Sequence, residues 1–339
     1  MNDQLSNDEV LKAKEKCQKL SSQMNEVLFG QEELVEYIIT ALLCKGNVLL
    51  EGLPGLGKTE LVKGLSCALG ISFKRIQFTP DLLPGDITGN PLLQEENGER
   101  KFVFQEGPLF ANLVLADEIN RASPKTQSAL LEAMQESQVT VMGDTRPLPK
   151  PFFVMATQNP IELEGTYPLP EAQLDRFLFK LEVKVGGPSV LEKIISNREL
   201  GEQNQFKQVM EAEELQELIH LSKRIYLPEI VIQYIARLVS ATQPNESNAS
   251  KGIKFGASPR AAIALAAAVR ARALINGRMN AAVEDVRHLA LPVLRHRVII
   301  DYMARTEGNT PETVIENIIA EVSSQNKQLS STLIETAGN

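Results

Sequence analysis

The chain has 339 residues, 43% of them hydrophobic and 23% charged, with a formal net charge of −8 and a pI near 5.2. That length suits about two domains at roughly 150 residues each, and the composition is that of a soluble globular protein with a core of ordinary size. An acidic balance is a poor match to nucleic acid, whose binders neutralise phosphates with Lys and Arg.

The three cysteines, Cys17, Cys44 and Cys67, lie far apart without a C-x-x-C. That argues against a disulfide framework or a thiolate zinc site and for a reducing compartment. The opening "MNDQLSNDEVLKAKEKCQKL" has no apolar centre of the kind a signal peptide carries. The richest apolar run, "AAIALAAAV" (261–269), is far shorter than the roughly 18 residues of a membrane span. A cytoplasmic protein without membrane insertion is expected.

Residues 5–28 and 31–44 carry Leu, Val and Ile at helical spacing and read as amphipathic helices. "NVLLEG" (47–52) has an unbroken apolar centre, Val48 to Leu50, of the kind found in a strand covered on both faces. "TELVKGLSCALG" (59–70) reads as a helix ended by Gly70. "SFKRIQF" (72–78), "LVLAD" (113–117), "PFFVMATQN" (151–159) and "FLFKLEV" (177–183) supply further strands, with helices between several of them. The alternation predicts a three-layer α/β domain around a mostly parallel sheet. Two segments interrupt it: 89–110, around Glu96-Asn97-Gly98, and 138–152, around Gly143-Asp144, both patterned as β-hairpins. After "KVGGPS" (184–189) the pattern is of helices only, up to about residue 323. Within it, 241–256 is expected to be a mobile polar loop. The expected division is a base domain over 1–185, a helical domain over 186–323 and a loosely ordered tail over 324–339.

Gly52-Leu53-Pro54-Gly55-Leu56-Gly57-Lys58-Thr59 fits the phosphate-binding pattern G-x-x-x-x-G-K-[ST], followed by Glu60, between an apolar strand and a helix. Glycines let backbone N–H groups approach phosphate oxygens, and the helix beginning near Lys58 adds its positive end. Lys58 is placed to neutralise β/γ-phosphate charge and Thr59 to offer a hydroxyl to Mg²⁺. In "LVLADEIN" the apolar run ends at Asp117-Glu118, where ligands sit in open α/β sheets. Asp117 is suited to hold Mg²⁺ through water, and Glu118 to take a proton from an attacking water. Asn159, ending another strand, could donate to a γ-phosphate, or could simply form a turn before Pro160. Arg176 and Arg260 are candidates for stabilising transition-state charge; Arg176 reads equally well as a surface charge. Arg260 follows a plausible N-cap Ser258 and N1 Pro259, a helix end where a cation is unfavourable unless an anion is near. His220, His288 and His296 have no metal-ligand spacing.

With these residues in place, the chain resembles MoxR-type ATPases of the AAA+ superfamily over roughly 25–323. The resemblance is carried by long blocks besides the P-loop, among them "FKRIQFTPDLLPGDITG", "FANLVLADEINRASPKTQSALLEAMQE", "FFVMATQNPIELEGTYPLPEAQLDRFL" and "LRHRVIIDYMARTEG". It implies an ATP- and Mg²⁺-dependent ATPase with a helix-2 insert at 89–110, a pre-sensor hairpin at 138–152 and a helical lid. Lys58 and Thr59 fall on Walker A, Asp117 and Glu118 on Walker B, Asn159 on sensor 1, Arg176 on the arginine finger and Arg260 on sensor 2. It further implies a ring, usually a hexamer, acting as a chaperone on client proteins, often with a von Willebrand factor A domain partner. Two alternatives differ in class. A nucleic-acid motor would want basic hairpin tips, but 89–106 carries Glu95, Glu96, Glu99 and Glu106 against Arg100 and Lys101. A nucleotide-gated scaffold without hydrolysis conflicts with the presence of Glu118, Asn159 and Arg176.

Overall fold

The computed structural model describes residues 5–26, 28–53, 55–96, 99–159, 165–184, 186–197 and 206–323. Pro54, the Asn97-Gly98 hairpin tip and the tail 324–339 lie outside the described residues. The chain divides into two compact units, one of residues 12–220 and one formed by residues 1–11 together with 221–339.

In chain order the elements up to the division are α1 (Asn7–Asn25), α2 (Glu32–Cys44), β1 (Val48–Glu51), α3 (Lys58–Ala68), β2 (Phe73–Gln77) and α4 (Pro84–Thr88). Then come β3 (Gly89–Glu96), β4 (Glu99–Glu106), β5 (Leu113–Asp117), a 3₁₀ turn (Ile119–Arg121), α5 (Pro124–Glu136), β6 (Gln138–Val141) and β7 (Asp144–Pro147). β8 (Phe153–Gln158), α6 (Glu171–Leu174), β9 (Phe179–Glu182), α7 (Pro188–Asn197) and α8 (Ala212–Arg224) follow. Five strands form one sheet in the order β2-β5-β8-β1-β9, and every pairing in it is parallel. Leu113 to Ala116 of β5 and Val154 to Ala156 of β8 are fully buried, as strands covered on both faces must be. One large core layer joins Leu49, Phe78, Val114, Leu130, Val154 and Phe177.

Both expected hairpins are present as β3–β4 and β6–β7. The second turns one residue earlier than expected, at Met142-Gly143, with φ of 53° and 88°. Positive φ at both central residues matches the twist of the flanking strands, and glycine takes the second place.

The expected boundary near Gly186-Gly187 falls inside the larger unit, and contacts of the following segment explain why. The N–H groups of Val209 and Met210 both donate to Ala68 O, at 2.9 and 3.1 Å. The Phe206 ring lies where a Cβ on Gly64 would be, 2.3 Å from that position. Lys16 Nζ on α1 pairs with Glu214 Oε1 on α8 at 2.8 Å. Residues 206–220 are thereby fastened to the back of α3 and to α1.

The other unit contains α9 (Glu229–Ser240), β10 (Ile253–Phe255), α10 (Pro259–Ile275), α11 (Val283–Leu294), β11 (Ile299–Ile300), α12 (Tyr302–Thr306) and a helix over 311–323. Among its described residues the elements are helices apart from the antiparallel β10–β11 ribbon and a single parallel bridge between Tyr226 and Asn280, which corrects the expectation of helices only; strands of two and three residues are too short to show a period. The polar stretch 241–256 is tied down rather than loose. Gln243 donates to Ala257 O at 2.8 Å, and the N–H groups of Asn248 and Ala249 donate to the Glu321 carboxylate at 3.4 and 3.0 Å. Asp285, fully buried, accepts from Arg272 and Arg278 at 2.8 and 2.6 Å and caps its own helix through the Ala282 N–H at 2.8 Å.

Candidate active site

A cavity of about 330 Å³ lies at the C-terminal edge of the parallel sheet, lined by Gly55, Gly57, Lys58, Thr59, Glu60, Arg75, Gln77, Asp117, Glu118 and Asn159. Its size is in the range of small-molecule sites, about 300–1,000 Å³. One wall is the start of α3. Gly57 is the N-cap of that helix, left-handed at φ 78°, and offers no side-chain cap. The first N–H groups of α3 therefore have no intrahelical partner and no capping side chain, which is the arrangement that receives an anion. Gly52 closes the loop at its base: a Cβ there would stand 2.8 Å from Val183 O. Lys58 Nζ is held back onto Gly52 O at 2.6 Å. Burial pushes its pKa below the usual lysine value, against the opposing pull of the Asp117 and Glu118 carboxylates.

The facing wall is carboxylate. Asp117 ends β5, and Thr157 on neighbouring β8 donates to its Oδ1 at 2.6 Å. The backbone N–H of Glu118 donates to the same Thr157 hydroxyl at 2.9 Å. Glu118 is left-handed at φ 56°, ψ 49°, a conformation that costs a non-glycine residue about 1–2 kcal/mol. Its Oε2 accepts from Gln77 at 2.8 Å and from Arg121 at 3.0 Å. On edge strand β2, Arg75 reaches Asp117 Oδ2 with Nη2 at 2.6 Å and Nε at 3.2 Å.

Eight of the residues expected from the sequence thus line one cavity: Gly55, Gly57, Lys58, Thr59, Glu60, Asp117, Glu118 and Asn159. Gly52 and Leu56 belong to the same loop without lining it, and Pro54 lies outside the described residues. Arg176 is not in this cavity. Its Nη1 donates to Leu131 O at 2.8 Å, and it lines a separate hollow of about 320 Å³ with Glu132, Glu136 and Gln173. Arg260 belongs to the other compact unit, in the first turn of α10, where its N–H donates to the Ser258 N-cap hydroxyl at 3.2 Å. Arg75, Gln77 and Thr157 were not singled out from the sequence. The signal for the first two was the alternation in "KRIQF", which puts residues 75 and 77 on one face of a strand beside the acidic pair.

The chain is similar to known proteins over nearly its whole length. A family model described as "ATPase family associated with various cellular activities (AAA)" matches residues 47–179, and one described as "AAA lid domain" matches 245–318. Chaperone MoxR1 of Mycobacterium tuberculosis is 43% identical over 304 residues, covering 88% of this chain and 80% of that protein. The uncharacterised protein YeaC of Bacillus subtilis is 44% identical, covering 90% of this chain and 93% of its own. The chain belongs to the MoxR family of AAA+ ATPases. A crystal structure of a candidate ATPase from Cytophaga hutchinsonii has the same fold, with a TM-score of 0.85 and 38% identity over 92% of this chain and 95% of that one. For a MoxR-family chain, the donor wall at α3 and the acceptor wall at Asp117-Glu118 are what a metal–nucleotide needs: N–H groups and a lysine for phosphate oxygens, and carboxylates and a hydroxyl for a cation. No described helix is long and apolar enough to cross a membrane.

Proposed function

We propose that the protein hydrolyses ATP with Mg²⁺ and, as a ring of head-to-tail copies, uses the cycle to remodel, mature or activate partner proteins. The observation that carries the reading is the meeting of Lys58 and Thr59 with Asp117, Glu118 and Asn159 in one cavity. In this reading Lys58 leaves Gly52 O for the β/γ-phosphates, and Thr59 and Asp117 hold the metal. Bound Mg²⁺ supplies charge neutralisation on the phosphate oxygens. Glu118 accepts a proton as water attacks the γ-phosphorus and the bond to the ADP oxygen breaks. Asn159 orients that water or the γ-phosphate. Arg176, outside its own chain's cavity, serves the site of the next copy, and Arg260 is a further charge-stabilising residue for an ATP site of the ring.

The protein-remodelling part rests on likeness: a relative 43% identical over 304 residues is named a chaperone. A hexamer, a von Willebrand factor A domain partner and a cytoplasmic location belong to the same reading.

Two variants test the chemistry. Lys58→Ala should weaken nucleotide binding, while Glu118→Gln should bind ATP near normally and lose about 10²-fold or more in phosphate release. Equal loss of binding in both would assign Glu118 a structural role. The Glu118→Gln protein, held with ATP, is also the bait for partners: recovered von Willebrand factor A domain proteins support the chaperone reading, and recovered nucleic acid defeats it.

A further inference from the structure

Both oxygens of Asp117 already accept strong hydrogen bonds. Oδ1 takes the Thr157 hydroxyl at 2.6 Å, and Oδ2 takes both Nη2 and Nε of Arg75, at 2.6 and 3.2 Å. The pair is lopsided. The Asp117 side chain is 16% exposed and pinned by Thr157, whereas that of Arg75 is 47% exposed on an edge strand with solvent beside it. Asp117 is held by Thr157, while Arg75, whose Nη2 also donates to Gln77 Oε1 at 2.8 Å on its own strand, has solvent on its other side.

Charge-assisted N–H···O bonds of this kind use the same carboxylate lone pairs that a divalent cation, or a water bound to it, would use. A guanidinium and a dication also repel at such short range. Arg75 and the metal are therefore alternative occupants of Oδ2.

We propose that Arg75 is a displaceable counter-ion of Asp117 that competes with Mg²⁺ for Oδ2, so that the metal–nucleotide binds only as Arg75 swings away. The inference rests on the proposed metal–nucleotide reading of the cavity. Its consequence is a threshold in Mg²⁺. If the clamped arrangement is populated about nine-tenths of the time, the apparent metal affinity is weakened about tenfold by the fraction that is competent.

The test measures binding, not turnover. Fluorescent ADP is titrated into the full chain at free Mg²⁺ set from chelator-depleted to ten millimolar or so, for wild type, Arg75→Met and Arg75→Lys. In Arg75→Met the midpoint of the Mg²⁺ dependence should move about tenfold lower. Metal-free ADP should bind it no tighter than wild type, because the cavity has lost a cation, so the shift cannot come from a general gain in affinity. Arg75→Lys keeps one positive charge without the fork and should fall between the two. An unmoved midpoint in a variant that melts like wild type overturns the proposal. So does a midpoint moved upward, which would make Arg75 a support of the metal site. Wild type that binds ADP at no Mg²⁺ concentration would instead overturn the nucleotide reading, and this inference with it.

Discussion

Thr157 donates its hydroxyl to Asp117 Oδ1 at 2.6 Å while accepting the backbone N–H of Glu118 at 2.9 Å. One buried side chain, 1% exposed, thus sets the two acidic residues relative to each other. Thr157→Val keeps the shape and removes both bonds. It should cost about 1–3 kcal/mol in denaturant unfolding, the penalty of a buried N–H and carboxylate oxygen losing a partner. Thr157→Ser, which keeps the hydroxyl, should recover most of the loss.

Arg176 stands outside the P-loop cavity of its own chain. Arg176→Ala should bind ATP normally and lose about 10³-fold or more in turnover, as removed arginine fingers do. In rings assembled from equal amounts of Lys58→Ala and Arg176→Ala chains, about one interface in four joins an intact P-loop to an intact arginine. Two inactive proteins should therefore regain up to about a quarter of wild-type turnover if sites act independently. No recovery after verified co-assembly would mean that Arg176 acts in its own chain or only holds the fold through its bond to Leu131 O.

The buried Asp285 network makes a prediction about acid. Burial alone would raise this carboxyl's pKa, but bonds from Arg278, the Ala282 N–H and Arg272 bring it below the ordinary 3.8. A pKa depressed by folding means stability that is complete above the ordinary value and fades as pH falls through the folded-state value. Asp285→Asn should destabilise the unit by about 3 kcal/mol at neutral pH, since two arginines lose their counter-charge. The gap to wild type should hold down to pH 3.8 and narrow below it; a gap independent of pH would show that the network acts by shape alone.

The acidic balance, −8 overall, sets an expectation for nucleic acid. Binding to duplex or single strands at physiological salt should be no tighter than the roughly 10⁻⁴ to 10⁻⁶ M of non-specific association. A severalfold rise in ATP turnover on adding either would defeat the protein-remodelling reading.

The parts of the site legible in the sequence are those whose meaning is local. β1, the glycine-rich loop and α3 follow one another in one contiguous stretch, and Asp117-Glu118 is marked by the apolar run it ends. Arg75, Gln77 and Thr157 acquire their roles from register across β2, β5 and β8, where Gln77 sits opposite Asp117 and Ala116 opposite Ala156. Residues some 40 positions apart meet there, and no window along the chain contains them together. The division between units was misplaced for a related reason. The Gly-rich stretch at 186–187 looks like a linker, but Phe206, Val209 and Met210 return to α3 after it.

The order of the central sheet has a consequence for handling and for folding in the cell. Its outer strands are β2 and β9, and they carry Lys74, Arg75, Lys180 and Glu182. The three inner strands hold "VLL", "LVLA" and "FVMAT" before any charge. Charged outer strands discourage a sheet from recruiting a strand of another molecule. A chain that has not yet seated β2 or β9 presents bare, uncharged ladders of the kind that seed aggregates. Variants that remove the charge of Lys74 or Lys180 should therefore fail first by clumping at high concentration, while the chains that stay folded keep their nucleotide binding.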